Sequence, residues 1–223
     1  ASVDALGLLK VGPRSAGSEP GPACYGRGGE NPAVTDADVV IGILDADNFL
    51  GGEMQLDKAA AEGAIKPLAD RLTTSVPQTA RGIFQVVNES MAAAARAHAT
   101  DRGIDYRGMP VLAFGGAGPV HACHVAELLE STTVIYPPLA SVLSAFGTLV
   151  TPVRFDLARG TAGGINWETA GKTYADMIAE AGTALEAAGA PANVIRFFYG
   201  ADMRYAGQQN EVTVEFAADP STG

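Results

Sequence analysis

Short apolar runs alternate with helical stripes of apolar residues along the chain, which is typical of an α/β protein. Residues 111–114 (Val-Leu-Ala-Phe) and residues 132–136 (Thr-Thr-Val-Ile-Tyr) are two such runs, and residues 119–129 between them have apolar side chains at helical spacing. Glycine or proline bounds both runs, so each predicts a short buried strand. Strand, helix and strand in this order predict a βαβ unit with parallel strands and a right-handed crossover.

The turn between the first strand and the helix is rich in glycine. It comprises Gly115, Gly116, Ala117 and Gly118, and Pro119 then begins the helix. Backbone N–H groups at a helix N-terminus attract anions, and glycine lets a ligand approach the backbone closely. The turn therefore predicts either a nucleotide-binding loop or an ordinary tight connection. It is neither a dinucleotide fingerprint nor a P-loop, because no Gly-Lys-Ser/Thr follows.

Capping residues predict where other helices begin. Asp57 precedes one helix, Ser75 and Gln78 form a capping box before the longest helix, and Asn166 precedes a late helix. Gly103 is placed to end the longest helix. The face that this helix is expected to bury comprises Ile83, Val86, Val87, Ser90, Met91 and Ala94.

Four other segments predict strands. Residues 2–11 predict a hairpin, residues 150–157 a strand that continues the central sheet, and residues 194–203 and 211–216 two strands near the end of the chain. We expect the boundary between two domains at residues 160–164, which are rich in glycine.

A long loop is predicted over residues 12–32, which are rich in glycine and proline. Arg14 and Arg27 either contact a phosphate or are ordinary surface arginines. Cys24 is either a reactive thiol or a small buried apolar residue, and we prefer the second interpretation.

Two carboxylates follow this loop, Asp36 and Asp38. Thr35 or Asp36 is predicted to cap a helix that continues to Leu44. Two neighbouring carboxylates can also hold Mg²⁺ through water, which makes Asp36 the candidate metal ligand. We prefer the cap, but both interpretations stay open.

The remaining polar candidates lie on the two central helices. Asn88 is predicted to face solvent, although it could also contact a nucleotide. His121, Cys123 and His124 do not have the spacing of a zinc site, because only the two histidines share a helix face and no second cluster follows. His121 follows the glycine turn directly, so it faces a ligand or, as we prefer, packs between helices. The roles of Cys123 and His124 stay open.

Composition limits the classes of function. The 223 residues are 47% hydrophobic and 18% charged, as in a folded globular protein. The net charge of −10 argues against general binding to nucleic acid or anionic membranes. We expect a cytoplasmic protein, because the sequence has neither a long apolar run nor a signal-peptide pattern and its 2 cysteines form no disulfide framework.

The glycine turn resembles the glycine loop of the hydantoinase A/5-oxoprolinase family, which includes subunits of acetone and acetophenone carboxylases. Further stretches agree with this family in order and spacing, so the resemblance covers nearly the whole chain. They are residues 17–26 (GSEPGPACYG), 34–38 (VTDAD), 137–138 (PP), 144–147 (SAFG) and 202–208 (DMRYAGQ).

The resemblance implies an actin-like ATPase fold, in which two ribonuclease H-like halves enclose ATP. Residues 1–160 would be the second half, a mixed sheet flanked by helices, and residues 161–223 would begin a C-terminal α+β domain. The adenosine-side loop would be Gly115, Gly116, Ala117, Gly118 and Pro119, with Mg²⁺ on the phosphates. The chain would begin after the family's Gly-Gly-Gly-Ser phosphate loop, so we interpret it as a fragment of a longer polypeptide.

The function implied by the resemblance is ATP-dependent hydrolysis of a cyclic amide such as a hydantoin or 5-oxoproline. ATP would phosphorylate the amide oxygen, and a second, hydantoinase B-type subunit would be the partner. A subunit of an acetone- or acetophenone-type carboxylase is the alternative within the family, and a nucleotide-binding module without turnover is the alternative outside it. We expect the isolated fragment to be inactive, because it lacks the first-half phosphate loop.

Overall fold

The contacts within the chain divide it into two compact units. The computed structural model describes residues 1–160 and 166–222, and the units comprise Ala1–Gly147 and Thr148–Gly223. The division thus falls earlier in the chain than the predicted boundary at residues 160–164, most of which lie outside the described residues. Residues 151–157 have no regular secondary structure, so the strand predicted over residues 150–157 is wrong. Pro152 lies within this segment and cannot donate a hydrogen bond to a neighbouring strand.

Unit 1 begins with the predicted hairpin and continues as a mixture of helices and short strands. Its regular elements are β1 (Ser2–Val3), β2 (Leu9–Lys10), α1 (Val34–Val40), α2 (Lys58–Leu72), α3 (Val76–Asp101), β3 (Val111–Leu112), α4 (Gly118–Leu128), β4 (Val134–Ile135) and α5 (Leu143–Val150), which continues past the division. Short 3₁₀ turns lie at Ala23–Tyr25, Leu50–Gly52 and Ala140–Val142.

The core of unit 1 lies where α1, α2 and α3 meet. It is built from small and branched apolar side chains, among them Ala37, Val39, Ala61, Ile65 and Ile83. The predicted caps are confirmed: Asp57 Oδ1 accepts from the N–H of Ala60 at 2.9 Å, and Ser75 and Gln78 form the capping box of α3.

The buried face of α3 differs from the predicted one. The side chains that are buried recur at a spacing of three or four residues and include Ala80, Ile83, Phe84, Asn88 and Ala92. Ser90 and Ala94, which were assigned to the buried face, are exposed. The prediction followed the larger apolar residues and so missed a polar residue in the buried stripe.

The predicted βαβ unit is confirmed, but its strands are not buried as predicted, because Leu112 and Ile135 are exposed. β3 and β4 are parallel, with Val111 opposite Val134 and Leu112 opposite Ile135, and α4 connects them. The described strands form three separate pairs rather than one mixed sheet. Proline and glycine limit the length of the central pair, because Pro110 precedes β3, Gly115 follows it closely and Pro137 follows β4.

Unit 2 consists of a helix and an antiparallel hairpin, α6 (Trp167–Ala187), β5 (Tyr199–Met203) and β6 (Val212–Phe216). Short 3₁₀ turns lie at Ala192–Val194 and Pro220–Thr222. Asn166 caps α6 as predicted, with its Oδ1 accepting from the N–H of Thr169 at 3.0 Å. The Tyr174 hydroxyl donates to the carbonyl of Gly200 at 2.6 Å and so connects the helix to the hairpin.

Candidate functional site

The glycine loop, residues 115–119, connects β3 to α4 and is anchored on its strand side. The N–H of Ala113 donates to Ile135 O at 2.9 Å, and the N–H of Gly115 donates to Ala140 O at 2.8 Å. Gly115 has φ +88°, a left-handed conformation that disfavours any residue with a Cβ. A Cβ at Gly115, Gly116 or Gly118 would meet no atom within 4 Å, so the loop borders open space.

The loop presents backbone donors at the positive end of α4. No side chain caps this helix N-terminus. Within residues 1–160 and 166–222, the N–H groups of Gly116, Ala117 and Gly118 have no recorded acceptor, and all three residues are exposed. Unpaired N–H groups and the helix dipole together favour an anion such as a phosphate.

Apolar side chains flank the loop. Phe114 is 47% exposed and Leu139 is 62% exposed, and both lie beside the Gly115–Ala140 hydrogen bond. The Tyr136 hydroxyl lies 3.1 Å from Cys123 Sγ, which raises the pKa of Tyr136, and it donates to Pro119 O at 3.4 Å. A loop with polar donors beside exposed apolar and aromatic side chains suits a ligand with an anionic part and a planar apolar part.

Below the loop, three polar side chains meet between α1, α3 and α4. We call Asp38, Asn88 and His121 the buried polar trio, because each is at most 5% exposed. His121 Nδ1 lies 3.0 Å from Asn88 Oδ1, and His121 Nε2 lies 3.7 Å from Asp38 Oδ2. The Phe84 ring stacks on the imidazole with centroids 5.0 Å apart.

Burial shifts both titratable groups of the trio toward their neutral forms. It raises the pKa of Asp38 to about 7, and it lowers the pKa of His121, with a smaller contribution from His124. His121 packs between helices, as preferred from the sequence, because it is buried and contacts Asn88 and Phe84 of α3. The prediction that Asn88 faces solvent is wrong. The burial of Asn88 could have been predicted from its helical spacing, because Phe84 and Ala92 lie four residues before and after it and are both buried.

Asp36 is fully buried and organises the long loop of unit 1. Its Oδ1 accepts from the N–H of Cys24 at 2.8 Å, and its Oδ2 accepts from Ala33 at 2.8 Å and from Ala23 at 3.2 Å. It occupies the third position of α1, not the N-cap, which is Ala33, and α1 ends at Val40 rather than Leu44. The side chain of Asp36 thus lies in the first turn of α1 and accepts a hydrogen bond from the N-cap residue, Ala33.

Magnesium does not fit the contacts of Asp36. Both carboxylate oxygens already accept backbone N–H groups, and the side chain has no exposed surface. No group of three or more His, Cys, Asp or Glu side chains in the described ranges could hold a metal ion. The metal role of Asp36 stays a prediction that these contacts do not support, and we derive no step through it.

The other sequence candidates are dispersed. Cys24 is buried, and burial together with the neighbouring Asp36 raises the pKa of its thiol, so an inert small side chain fits better than a reactive one. Arg14 lines an open cleft of about 580 Å³ that is bordered by the start of the chain, parts of residues 11–35 and Val87, whereas Arg27 lies on the surface. Cys123 and His124 are exposed on α4.

Comparison with known proteins identifies the family. The profile of the hydantoinase/oxoprolinase family matches residues 2–157. The chain therefore belongs to this family. It spans about a third of the length of the caprolactamase subunit alpha described below and of the two solved structures that it matches.

Specific relatives include a lactam hydrolase and a carboxylase. The chain is 37% identical to the caprolactamase subunit alpha of Pseudomonas jessenii over 226 residues, which cover 98% of this chain and 32% of the relative. The crystal structure of the ATP-dependent caprolactamase from that organism superposes with a TM-score of 0.72 over 98% of this chain and 33% of the other. Nucleotide-free acetone carboxylase superposes with a TM-score of 0.71 at 28% identity, over 97% of this chain and 32% of the other.

Among the helices of residues 1–160 and 166–222, none has the length and hydrophobicity needed to cross a bilayer.

Proposed function

We propose that this chain supplies the adenosine-side loop of an actin-like ATPase that hydrolyses a cyclic amide. The observation that carries the proposal is the open glycine loop, residues 115–119, which presents unpaired N–H groups at the start of α4. The family to which the chain belongs also includes an ATP-dependent caprolactamase. Unit 1 would be the second ribonuclease H-like half of the ATPase. Unit 2 would begin the C-terminal domain that follows it.

The reaction would make an unreactive amide electrophilic. The amide oxygen attacks the γ-phosphorus of ATP and ADP leaves, so that the amide carbon carries a phosphate leaving group. Water then adds to this carbon, and the ring C–N bond breaks as the nitrogen takes up a proton, which leaves an acyl phosphate. A second water hydrolyses the acyl phosphate to a carboxylate and inorganic phosphate. The glycine loop would contribute by holding the nucleotide and by placing backbone donors toward its negative charge.

A carboxylase subunit is the second candidate, and the similarity to acetone carboxylase favours it. ATP would then activate a ketone or bicarbonate instead of an amide. ADP release by the complete protein separates the two functions, because a cyclic amide stimulates the first and a ketone with bicarbonate stimulates the second. The caprolactamase relative is a subunit alpha, so we propose that a second, different subunit completes the enzyme.

Replacement of Gly116 by valine is expected to weaken nucleotide binding strongly without unfolding the chain. Gly116 has no left-handed φ, and a Cβ there meets no atom within 4 Å, so the new side chain projects into the space that the nucleotide would occupy. We expect calorimetric titration with Mg-ATP and Mg-ADP to show Kd raised by about tenfold or more. Gly115 is a poorer choice, because its φ of +88° would strain any other residue.

Gly160→Val is the matched control for this variant. Gly160 also lacks a left-handed φ and has no atom within 4 Å of a Cβ, but it lies in unit 2. It should bind nucleotide as the wild type does. Equal affinity of the Gly116→Val variant and the wild type would place the nucleotide elsewhere. Absence of binding to this chain and to the complete protein would remove the proposed function.

A further inference from the structure

The buried polar trio connects the glycine loop to the rest of unit 1. Asp38 lies on α1, Asn88 on α3, and His121 in the first turn of α4, two residues after Pro119. The 3.0 Å contact between His121 Nδ1 and Asn88 Oδ1 therefore joins the start of α4 to the middle of α3. A second polar contact joins the same helices further along, where Arg96 Nη1 donates to Leu128 O at 3.0 Å.

Stability alone does not explain this arrangement. Within the described residues, Asp38 Oδ1 and Asn88 Nδ2 are buried without any hydrogen-bond partner. Buried polar atoms without partners cost stability, and apolar side chains of similar volume would pack the three helices together more favourably. A directional polar contact fixes both the rotation of one helix about its axis and its position along a neighbouring helix, whereas an apolar contact does not.

We infer that Asn88 positions the glycine loop by holding His121, and with it the start of α4, in one orientation against α3. This inference rests on the proposed function only in taking the loop as the nucleotide site. The loop is held on its strand side by the Gly115–Ala140 hydrogen bond and on its helix side by the contact between His121 and Asn88. Phe84 supports the imidazole from one face and so limits its rotation.

The order of the loop glycines tests the inference directly. Asn88→Ala removes the partner of His121, and Asn88→Leu does so while filling the site with apolar volume, so that folding is retained. In the ¹⁵N-labelled 223-residue chain, we expect the backbone order parameters of Gly116 and Gly118 to fall from about 0.85 to below about 0.6 in both variants. Ile83→Val is the matched control, because it weakens the buried packing of α3 elsewhere and should leave these order parameters unchanged.

Three results would overturn the inference: mobile loop glycines in the wild type, unchanged order parameters in both Asn88 variants, or an equal loss in Ile83→Val. Titration of the same samples with Mg-ATP distinguishes a failure of this inference from a failure of the proposed function. If the wild type binds Mg-ATP, the Asn88→Leu variant should bind about tenfold more weakly. If the loop loosens as expected but the wild type and the complete protein bind no nucleotide, the proposed function fails and the positioning role stands.

Discussion

Replacement of Asp36 by alanine is expected to destabilise unit 1 by about 3–5 kcal/mol, an unusually large effect for one substitution. The carboxylate accepts three backbone N–H groups, two of them from the buried residues Ala23 and Cys24. Alanine leaves these donors without an acceptor in a site that water does not reach, and each such buried donor costs about 1–3 kcal/mol. The turn at residues 21–26 should then separate from α1.

Urea unfolding followed by far-UV circular dichroism measures this effect. Trp167 is the only tryptophan and lies in unit 2, so its fluorescence reports separately on the unit that the substitution does not touch. Asp57→Ala is the control, because it removes a single exposed N-cap bond and should cost about 1 kcal/mol. Equal losses in the two variants would contradict the central structural role of Asp36. A Mg²⁺-dependent rise in wild-type stability that Asp36→Ala abolishes would support a metal role instead.

Gly29→Ala is expected to destabilise the same region by about 3 kcal/mol. A Cβ at Gly29 would lie 2.2 Å from Gly21 O and 3.0 Å from the carbonyl carbon of Pro22. Both atoms belong to the backbone of a buried turn, so no side chain can rotate to relieve the overlap. The turn itself is constrained, because Gly21 has φ +75° and a Cβ there would meet Ser18 O at 2.9 Å.

The matched control for this substitution is Gly63→Ala. Gly63 lies on the exposed side of α2, and a Cβ there meets no atom within 4 Å. Alanine should stabilise the helix by about 0.5–1 kcal/mol, because it has a higher helix propensity and a less flexible unfolded state. Unfolding curves of the two variants should therefore shift in opposite directions. A Gly29→Ala curve that coincides with the wild type would show that residues 21–29 do not pack as described.

Local sequence signals predicted the local features of this fold. Asp57, Ser75 and Asn166 mark helix starts because the capping partner lies only three residues away in each case. The βαβ unit was predicted for the same reason, since glycine and proline bound short apolar runs in a fixed order. The loop at residues 115–119 was located by this pattern and by the family resemblance together.

Features that depend on distant partners could not be predicted from the sequence. Helical spacing could have indicated that Asn88 is buried, but not that it contacts His121, because the two residues are 33 positions apart. Asp36 was assigned to a cap or a metal because two of its three N–H partners are 12 and 13 residues away. The segment at residues 151–157 is apolar enough for a strand, but no strand pairs with it among the described residues. In each case the sequence shows the chemistry of the residue but not the surface that it meets.

Photolabelling of the complete protein with 8-azido-ATP tests the central claim most directly, because the reactive group is on the adenine base. If the glycine loop holds the adenosine side of the nucleotide, the label should map to peptides containing residues 114–119 or the flanking residues 136–140, and excess ATP should prevent labelling. Gly116→Val should reduce the labelling, whereas Gly160→Val should not. ATP-protected labelling confined to other parts of the protein would contradict the assignment of the loop.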